Sequence, residues 1–373
     1  MKETGAARGE DAARYIIHFE HASKDDHARM GGKCAGLATL IAAGAAVPAG
    51  FAVSTRAYAD MLAAHDLESE IAGRLDQLAA DDVDRQARVA QEIRDLIKGR
   101  PIPDEIRVSI EAGYRALCDH AGHELPVAVR SSGTAEDLPE ASFAGQGDTY
   151  LWTVGADAVI ARVKDCWASL FTARAIAYRV KNGFDHLGHS MAVGVQKMVD
   201  ARAAGVAMSL DPSNGDRSKI VIESTWGLGE PLVSGQITPD SFVVDKILLE
   251  PIKRSIAPKQ QELVADRAAR TTVMRDVDEA RQNLPSLTDA QLRAVARAVK
   301  SVEKAIGAPQ DVEWAIDAQL EGDECVVLLQ SRPETVWSNK KVEAPPAKPY
   351  ATGIEGVLNT LLAPLASRET HKQ

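Results

Sequence analysis

Hydrophobic positions in the first half of the chain follow a helical period. Between residues 56 and 120, apolar side chains recur every three or four positions, as at Ile71, Leu75 and Leu78, and charged residues lie between them. This spacing predicts amphipathic helices, and residues 155–182 show it again. A shorter helix is predicted over Ala35–Ala43, ended by Gly44, because glycine often follows a helix C-terminus. Short strands are expected at residues 15–19, 51–55 and 127–130.

Beyond residue 190 the apolar runs become short and are separated by Gly, Pro and Asn, which is typical of strands. Such runs lie at residues 192–199, 206–210, 219–225 and 241–245, and a last pair at 311–317 and 325–333 flanks an acidic turn. The charged stretch 259–306 predicts helices that Pro285 divides. We therefore expect a mixed α/β fold with a helical N-terminal lobe, residues 1–190, and a sheet-rich C-terminal lobe, residues 191–338.

The last segment, residues 339–373, differs from both lobes. It begins with a Pro-rich stretch typical of a linker and continues into an apolar helix candidate, Ile354–Ala363. An isolated helix of this length needs a surface on which to bury its leucines, so we expect it to dock on a partner. A partly disordered tail is the alternative.

Composition and charge restrict the classes of function. Hydrophobic residues make up 45% of the 373 residues and charged residues 26%, which is ordinary for a globular protein of about two domains. The net charge of −10 argues against a nucleic-acid-binding surface, but it leaves room for a local basic pocket. The four scattered cysteines, the polar N-terminus and the lack of long apolar runs indicate a cytoplasmic protein with no membrane span.

Two segments have the residue types that bind phosphate. Two glycines precede Lys33, which could place a positive charge beside a closely approaching ligand, although the segment does not match a Walker A loop. Arg130 ends an apolar strand, and the following loop of small residues offers hydroxyl and N–H groups to phosphate oxygens: Ser131, Ser132, Gly133 and Thr134. The alternatives are a helix start with an exposed lysine and an ordinary surface turn.

The two final strands have the residue types that bind a metal. If these strands pair, Glu313, Gln330 and Arg332 converge on one another. Carboxylate and amide oxygens suit Mg²⁺, and the arginine would neutralise a phosphate. Taken alone, Glu313 could also be a solvated strand residue.

A possible hinge lies at the end of the apolar run 192–199, near the start of the second lobe. Its residues are Gln196, Lys197, Met198 and Val199. Their backbone groups could form hydrogen bonds with the edge of an adenine base, and an ordinary strand is the alternative. Glu223 lies at a strand end, where it is expected near the ribose.

Four segments, in this order, resemble the ATP-binding part of phosphoenolpyruvate synthases, pyruvate phosphate dikinases and rifampicin phosphotransferases. They are GGKCAGLATLIAAGAAVPAGFAVSTRAY, VAVRSSGTAEDLPEASFAGQ, ESTWGLGEPLVSGQITPDSFVVD and DVEWAID with LLQSRP. The resemblance implies a two-lobed ATP-grasp fold with ATP between the lobes. It also implies chemistry that splits ATP to AMP and passes a phosphoryl group through a mobile histidine domain.

Carried onto this sequence, the resemblance assigns roles to individual residues. Lys33, Arg130 and Arg332 are expected to be the catalytic phosphate-binding cations, and Glu313 with Gln330 the Mg²⁺ ligands. A monovalent cation is a further candidate cofactor. The residues expected to contact ATP are Lys33, Arg130, Ser131, Ser132, Gly133, Thr134, Gln146, Gln196, Lys197, Met198, Val199, Glu223 and Arg332.

Nothing in the sequence resembles the family's phosphohistidine motif, and His371 lies in a polar tail. The histidine and the acceptor site are therefore expected on separate partner subunits. This arrangement is similar to the separate ATP-binding subunit of phenylphosphate synthases, which would make phenol the acceptor. Two alternatives are part of a phosphoenolpyruvate synthase-like or rifampicin phosphotransferase-like enzyme, and a non-catalytic, nucleotide-binding regulatory subunit.

Overall fold

The computed structural model describes residues 14–76, 78–79, 82–134, 137–138, 141–142 and 148–338. Gln146, His371 and the candidate docking helix Ile354–Ala363 lie outside these residues. The chain divides into two compact units, residues 1–334 and Thr335–Gln373, and only residues 335–338 of the second unit are described.

Ten α-helices occur in the described residues. They are α1 His27–Ala42, α2 Thr55–Ala64, α3 Leu67–Leu75, α4 Val83–Gly99, α5 Asp104–Ala121, α6 Ala156–Ser169, α7 Ala173–Asn182, α8 Glu230–Val233, α9 Glu279–Gln282 and α10 Asp289–Ile306. Across the described part of the chain, none of them is both long and apolar enough to cross a membrane.

The strands form two main sheets and two small hairpins. They are β1 Ile16–His18, β2 Gly50–Val53, β3 Val127–Gly133, β4 Asp137–Leu138, β5 Ala141–Ser142, β6 Thr149–Thr153, β7 Met191–Lys197, β8 Ala201–Met208, β9 Lys219–Trp226, β10 Asp240–Asp245, β11 Pro251–Ser255, β12 Gln261–Asp266, β13 Thr271–Asp276, β14 Gln310–Asp317 and β15 Val326–Pro333.

The first sheet has five antiparallel strands in the order β1-β2-β7-β3-β6, and the second has six in the order β11-β10-β9-β8-β14-β15. Helices α2–α7 cover one face of the first sheet, and the core between them includes Phe51, Ile93 and Trp167. Helix α10 covers one face of the second sheet, where it packs Val295 and Val299 against that sheet.

Helix α1 connects the two sheets. Its buried residues Met30, Leu37 and Leu40 belong to the core of the second sheet. The same helix lies close to β7 of the first sheet at Cys34 and to β15 of the second sheet at Gly36. Because one rigid helix contacts both sheets, it fixes the separation of the faces between which a ligand could bind.

The expected mixed α/β fold with two lobes is confirmed, as are the helices expected over 56–120 and 155–182. The change of sheet falls after Lys197 rather than after residue 190, because β7 lies in the middle of the first sheet. The expectation of helices throughout 259–306 is wrong for its first part. Residues 261–276 form the β12–β13 hairpin, in which the β-branched run from Thr271 to Val273 favours a strand.

A fully buried ion pair holds the chain between β11 and α10 against the second sheet. Lys259 Nζ donates to Asp240 Oδ1 at 2.6 Å, and both side chains are completely buried. The backbone N–H of Ala257 donates to the same oxygen, whereas Ser286 donates its N–H and its hydroxyl to Oδ2. Every carboxylate oxygen therefore has two donors, which compensates for its lost hydration.

We predict that Lys259→Met lowers the free energy of unfolding by about 3–5 kcal/mol, because it leaves the Asp240 carboxylate buried without its cation. Urea denaturation would measure this change. Lys253→Met, which removes a lysine from the exposed strand β11, should change the free energy of unfolding by less than about 0.5 kcal/mol. Equal effects of the two substitutions would contradict the prediction.

Candidate functional site

Arg130 joins the two sheets. It extends from β3 in the first sheet, and its guanidinium lies against β14 and β15 of the second. Nη2 donates to Glu313 Oε2 at 3.0 Å and to Gln330 Oε1 at 2.8 Å, and Nη1 donates to the Leu329 carbonyl at 3.2 Å. The side chain is 19% exposed. The structure thus brings together three of the residues that the sequence placed in the site.

The pairing of β14 with β15 explains this convergence. Glu313 is the cross-strand partner of Gln330, and Asp311 is the partner of Arg332. Because alternate strand residues share a face, these four side chains lie on one face of the sheet. A β-bulge beside this group leaves Leu329 without a partner on β14. Its carbonyl is the one that Arg130 contacts, and bulges commonly redirect groups in this way near functional sites.

Asp311 is a site residue that the sequence analysis missed. It lies two positions before Glu313, so the period of the strand could have identified it. Burial raises the pKa of its carboxyl group above the usual range, and Arg332, which donates Nε to it at 3.4 Å, partly offsets this. A partly buried carboxylate of this kind is stabilised by a nearby cation.

The oxygen set fits a hard divalent cation. Two carboxylates and one amide oxygen lie on adjacent strands, and a positively charged group already lies between Glu313 and Gln330. Mg²⁺ is usually bound by one or two carboxylates together with phosphate oxygens. No cluster of three or more His, Cys, Asp or Glu side chains placed for a metal occurs in the described residues. A metal here would therefore depend on oxygens contributed by its nucleotide.

Lys33 reaches the site because α1 is interrupted. Gly31 has φ +69°, which divides the helix, and Lys33 is in the first turn after this kink. Its Nζ donates to the Ser131 carbonyl at 3.2 Å. A Cβ atom on Gly31 would lie 2.0 Å from the Ser132 carbonyl oxygen, so only glycine permits this close approach.

The segment after Arg130 differs from the expected phosphate-binding loop. Residues 131–133 continue β3, where they pair with β7. The Ser132 hydroxyl donates to the Met30 carbonyl and accepts the N–H of Cys34, and the Thr134 hydroxyl donates to the Ser190 carbonyl. These two hydroxyls therefore hold α1 and the strand ends in place, whereas the buried Ser131 hydroxyl has no hydrogen-bond partner within the described part of the chain.

The expected hinge is placed between the sheets, but three of its hydrogen-bond donors are already used. The N–H of Lys197 donates to the Ala49 carbonyl, and the N–H of Met198 donates to the Pro126 carbonyl. The Gln196 side chain donates to the Pro48 carbonyl at 3.3 Å. An adenine bound here would have to form its hydrogen bonds with other groups, such as the backbone of Val199.

Two further observations concern the extent of the site. A small cavity between the sheets is lined by Lys33, Cys34, Arg130, Gln196, Leu329 and Gln330. Glu223 is on the same face as Glu313, since Val206 of β8 is the cross-strand partner of both. With strands about 4.8 Å apart, the two glutamates are separated by roughly 10 Å, which places Glu223 at a distance from Glu313 and Gln330, the expected metal ligands.

The comparisons with known proteins identify the family to which the chain is similar. Residues 27–351 match the family model described as the pyruvate phosphate dikinase AMP/ATP-binding domain. The chain is 42% identical to a probable phosphoenolpyruvate synthase of Methanothermobacter thermautotrophicus over 88% of this chain and 47% of that protein. It is 41% identical to a phosphoenolpyruvate synthase of Aeropyrum pernix (90% and 44%) and 39% identical to one of Neisseria meningitidis (88% and 43%). The chain spans less than half the length of these relatives.

We predict that Gly31→Ala displaces the start of α1 and with it Lys33. A fluorescent ATP analogue should bind about tenfold more weakly, and the free energy of unfolding should fall by more than about 1 kcal/mol. Gly44→Ala is the matched control, because Gly44 has φ +80° but open space around its Cβ position. Equal effects of the two substitutions would show that the left-handed backbone, not the contact with Ser132, is responsible.

We predict that Asp311→Asn weakens Mg²⁺-dependent binding of the ATP analogue by about tenfold, because it removes one negative charge from the oxygen set. Titrations with and without Mg²⁺ would measure this. Asp323→Asn, in the exposed turn before β15, should leave binding unchanged. Unaltered Mg²⁺ dependence in the Asp311 variant would remove this residue from the site.

Proposed function

The chain belongs to the family of pyruvate phosphate dikinase AMP/ATP-binding domains, and from this premise we propose that it binds Mg·ATP between its two sheets and supports AMP-forming phosphoryl transfer to a histidine. The observation that carries the proposal is the convergence of Arg130 with Glu313 and Gln330 across the two sheets. This arrangement places a phosphate-binding cation beside a set of metal-binding oxygens.

The proposed chemistry requires positioning and charge neutralisation rather than a covalent intermediate on this chain. Lys33, Arg130 and Arg332 would bind the phosphate oxygens, since each can donate several hydrogen bonds to an anion. Glu313 and Gln330, with Asp311 beside them, would hold Mg²⁺, which would neutralise charge on the phosphates. The hinge residues Gln196–Val199 and Glu223 are proposed to lie along the adenosine.

We propose that the receiving histidine is on a partner polypeptide. The support for this is the resemblance to phenylphosphate synthases, whose ATP-binding part is a separate subunit. In the phosphoenolpyruvate synthase-like alternative, the histidine would belong to the same polypeptide. The partner would carry the phosphohistidine into the cleft, accept the β-phosphoryl group and deliver it to the final acceptor.

Two final acceptors of the phosphoryl group are proposed, and each has different support. The resemblance to the ATP-binding subunit of phenylphosphate synthases favours phenol, with phenylphosphate, AMP and phosphate as products. The names of the relatives at 39–42% identity favour a phosphoenolpyruvate synthase-like reaction. A regulatory subunit without turnover is less well supported, because Asp311, Glu313 and Gln330 together supply the oxygens that catalysis needs.

The decisive experiment follows the β-phosphate. We predict that [β-³²P]ATP and Mg²⁺ label a histidine of the polypeptide that copurifies with this chain, with release of AMP. Arg332→Ala should slow the transfer by about 10²–10³-fold, as removing one group that stabilises transition-state charge commonly does. Arg254→Ala is the matched control, because Arg254 is half-exposed on β11 and pairs with Asp289.

Full transfer activity in Arg332→Ala would overturn the site assignment. ATP binding without AMP formation would favour the regulatory function. Once the partner is labelled, chasing the label with phenol or with pyruvate in separate reactions would decide between the two acceptors.

A further inference from the structure

The guanidinium of Arg130 occupies the place where a metal would bind. Its Nη2 lies 2.8 Å from Gln330 Oε1 and 3.0 Å from Glu313 Oε2. These two oxygens are the ones proposed to hold Mg²⁺. The two proposed metal ligands, Glu313 and Gln330, are therefore already bridged by a positively charged group from the opposite sheet.

The two cations exclude one another. Mg²⁺ requires its ligand oxygens at about 2.0–2.1 Å and in near-octahedral geometry, so their lone pairs must point at the metal. With Arg130 in this position, each of the two oxygens accepts a hydrogen bond from Nη2 through one lone pair, and the guanidinium lies between the two oxygens. The positive charges would also repel each other within a few ångströms, in a region largely shielded from solvent.

A phosphate would give the Arg130 guanidinium more hydrogen bonds than its present contacts with Glu313, Gln330 and Leu329 do. Its Nε–H is buried and has no hydrogen-bond partner among the residues that the structure describes. The contact from Nη1 to the Leu329 carbonyl, at 3.2 Å, is long for a charged donor. A phosphate oxygen could accept Nε–H and an Nη–H together in the bidentate geometry that arginine favours, and would thereby satisfy the unused donor.

The other cations of the site are held elsewhere. Lys33 Nζ donates to the Ser131 carbonyl, and Arg332 donates to Asp311 from a side chain that is 52% exposed. Of these three cations, Arg130 is the one that bridges both proposed metal ligands. The exclusion therefore depends on this residue and not on the general positive charge of the cleft.

We propose that Arg130 is an internal competitor of the metal, which blocks divalent-cation binding to Glu313 and Gln330 until a nucleotide phosphate draws the guanidinium away. Metal and nucleotide then bind cooperatively, each strengthening the other by the same factor. This inference rests on the proposed function, because the phosphate is that of the ATP bound in the same cleft.

The test uses Mn²⁺ alone as the probe, measured by electron paramagnetic resonance on the full chain without nucleotide. We expect Arg130→Met to bind Mn²⁺ at least about tenfold more tightly than the wild type, since the pair no longer has to release a cation. Arg254→Met removes the same charge at a distance and should change Mn²⁺ affinity by less than twofold. Adding Glu313→Gln to Arg130→Met should abolish the gain.

A gain of less than twofold in Arg130→Met, or a gain that survives Glu313→Gln, would overturn the proposal. Circular dichroism and thermal melting would show whether each variant is folded. If Arg130→Met does not fold, Arg130→Gln is measured in its place, because its neutral amide removes the charge while keeping a hydrogen-bonding group.

A second measurement separates this proposal from the proposed function. The dissociation constant of a fluorescent ATP analogue is determined with and without Mg²⁺, and the ratio should be several-fold larger in the wild type than in Arg130→Met. An unchanged ratio, with the analogue still bound, would overturn the competition but leave the ATP-binding function intact. If the wild type binds no analogue while Arg130→Met gains Mn²⁺ affinity, the proposed ATP-binding function fails. The proposal that Arg130 blocks metal binding to Glu313 and Gln330 is then still supported.

Discussion

The contact of Arg130 with Glu313 and Gln330 is the interaction on which the rest of the site depends. It crosses from β3 of one sheet to the edge hairpin of the other, and it places opposite charges where the two sheets face each other. The strand pairing that brings the carboxylate beside the amide, and the bulge that presents the Leu329 carbonyl, both lead to this one guanidinium. A cleft formed in this way has cationic and anionic groups side by side, which is what a metal-bound polyphosphate requires.

The scaffold around this contact is rigid for identifiable reasons. Helix α1 packs into the core of the second sheet, yet its kink is held against β3 of the first sheet by the Ser132 hydroxyl. Gly31 makes this approach possible, since any side chain there would collide with the Ser132 carbonyl. The hydroxyl that the sequence suggested for ligand binding thus positions the helix that carries Lys33. A residue type suited to phosphate can equally well be used by the protein for its own packing.

The overall charge of the protein differs in sign from the charge of the groups that its site offers to a phosphate. The chain carries a net charge of −10, but the cleft gathers Lys33, Arg130 and Arg332 beside the carboxylates of Asp311 and Glu313. Short-range contacts of this kind are effective inside a partly buried cleft, where solvent and salt screen them less than on the surface. The negative surface elsewhere is therefore compatible with an anionic ligand.

Sequence by itself determined the two-lobed α/β class and the helices over 56–120 and 155–182, because periodicity is a local property of the chain. Motif order predicted that Arg130, Glu313, Gln330 and Arg332 share one site. Tertiary structure alone decided the rest. Strand pairing added Asp311 and extended β3 through residues 131–133, since register is set by partners distant in sequence. It also turned residues 261–276 into a hairpin, because charge spacing does not distinguish an exposed helix from an exposed hairpin. Packing of the two sheets placed the Arg130 guanidinium between Glu313 and Gln330, which no pattern of residues along the chain could reveal.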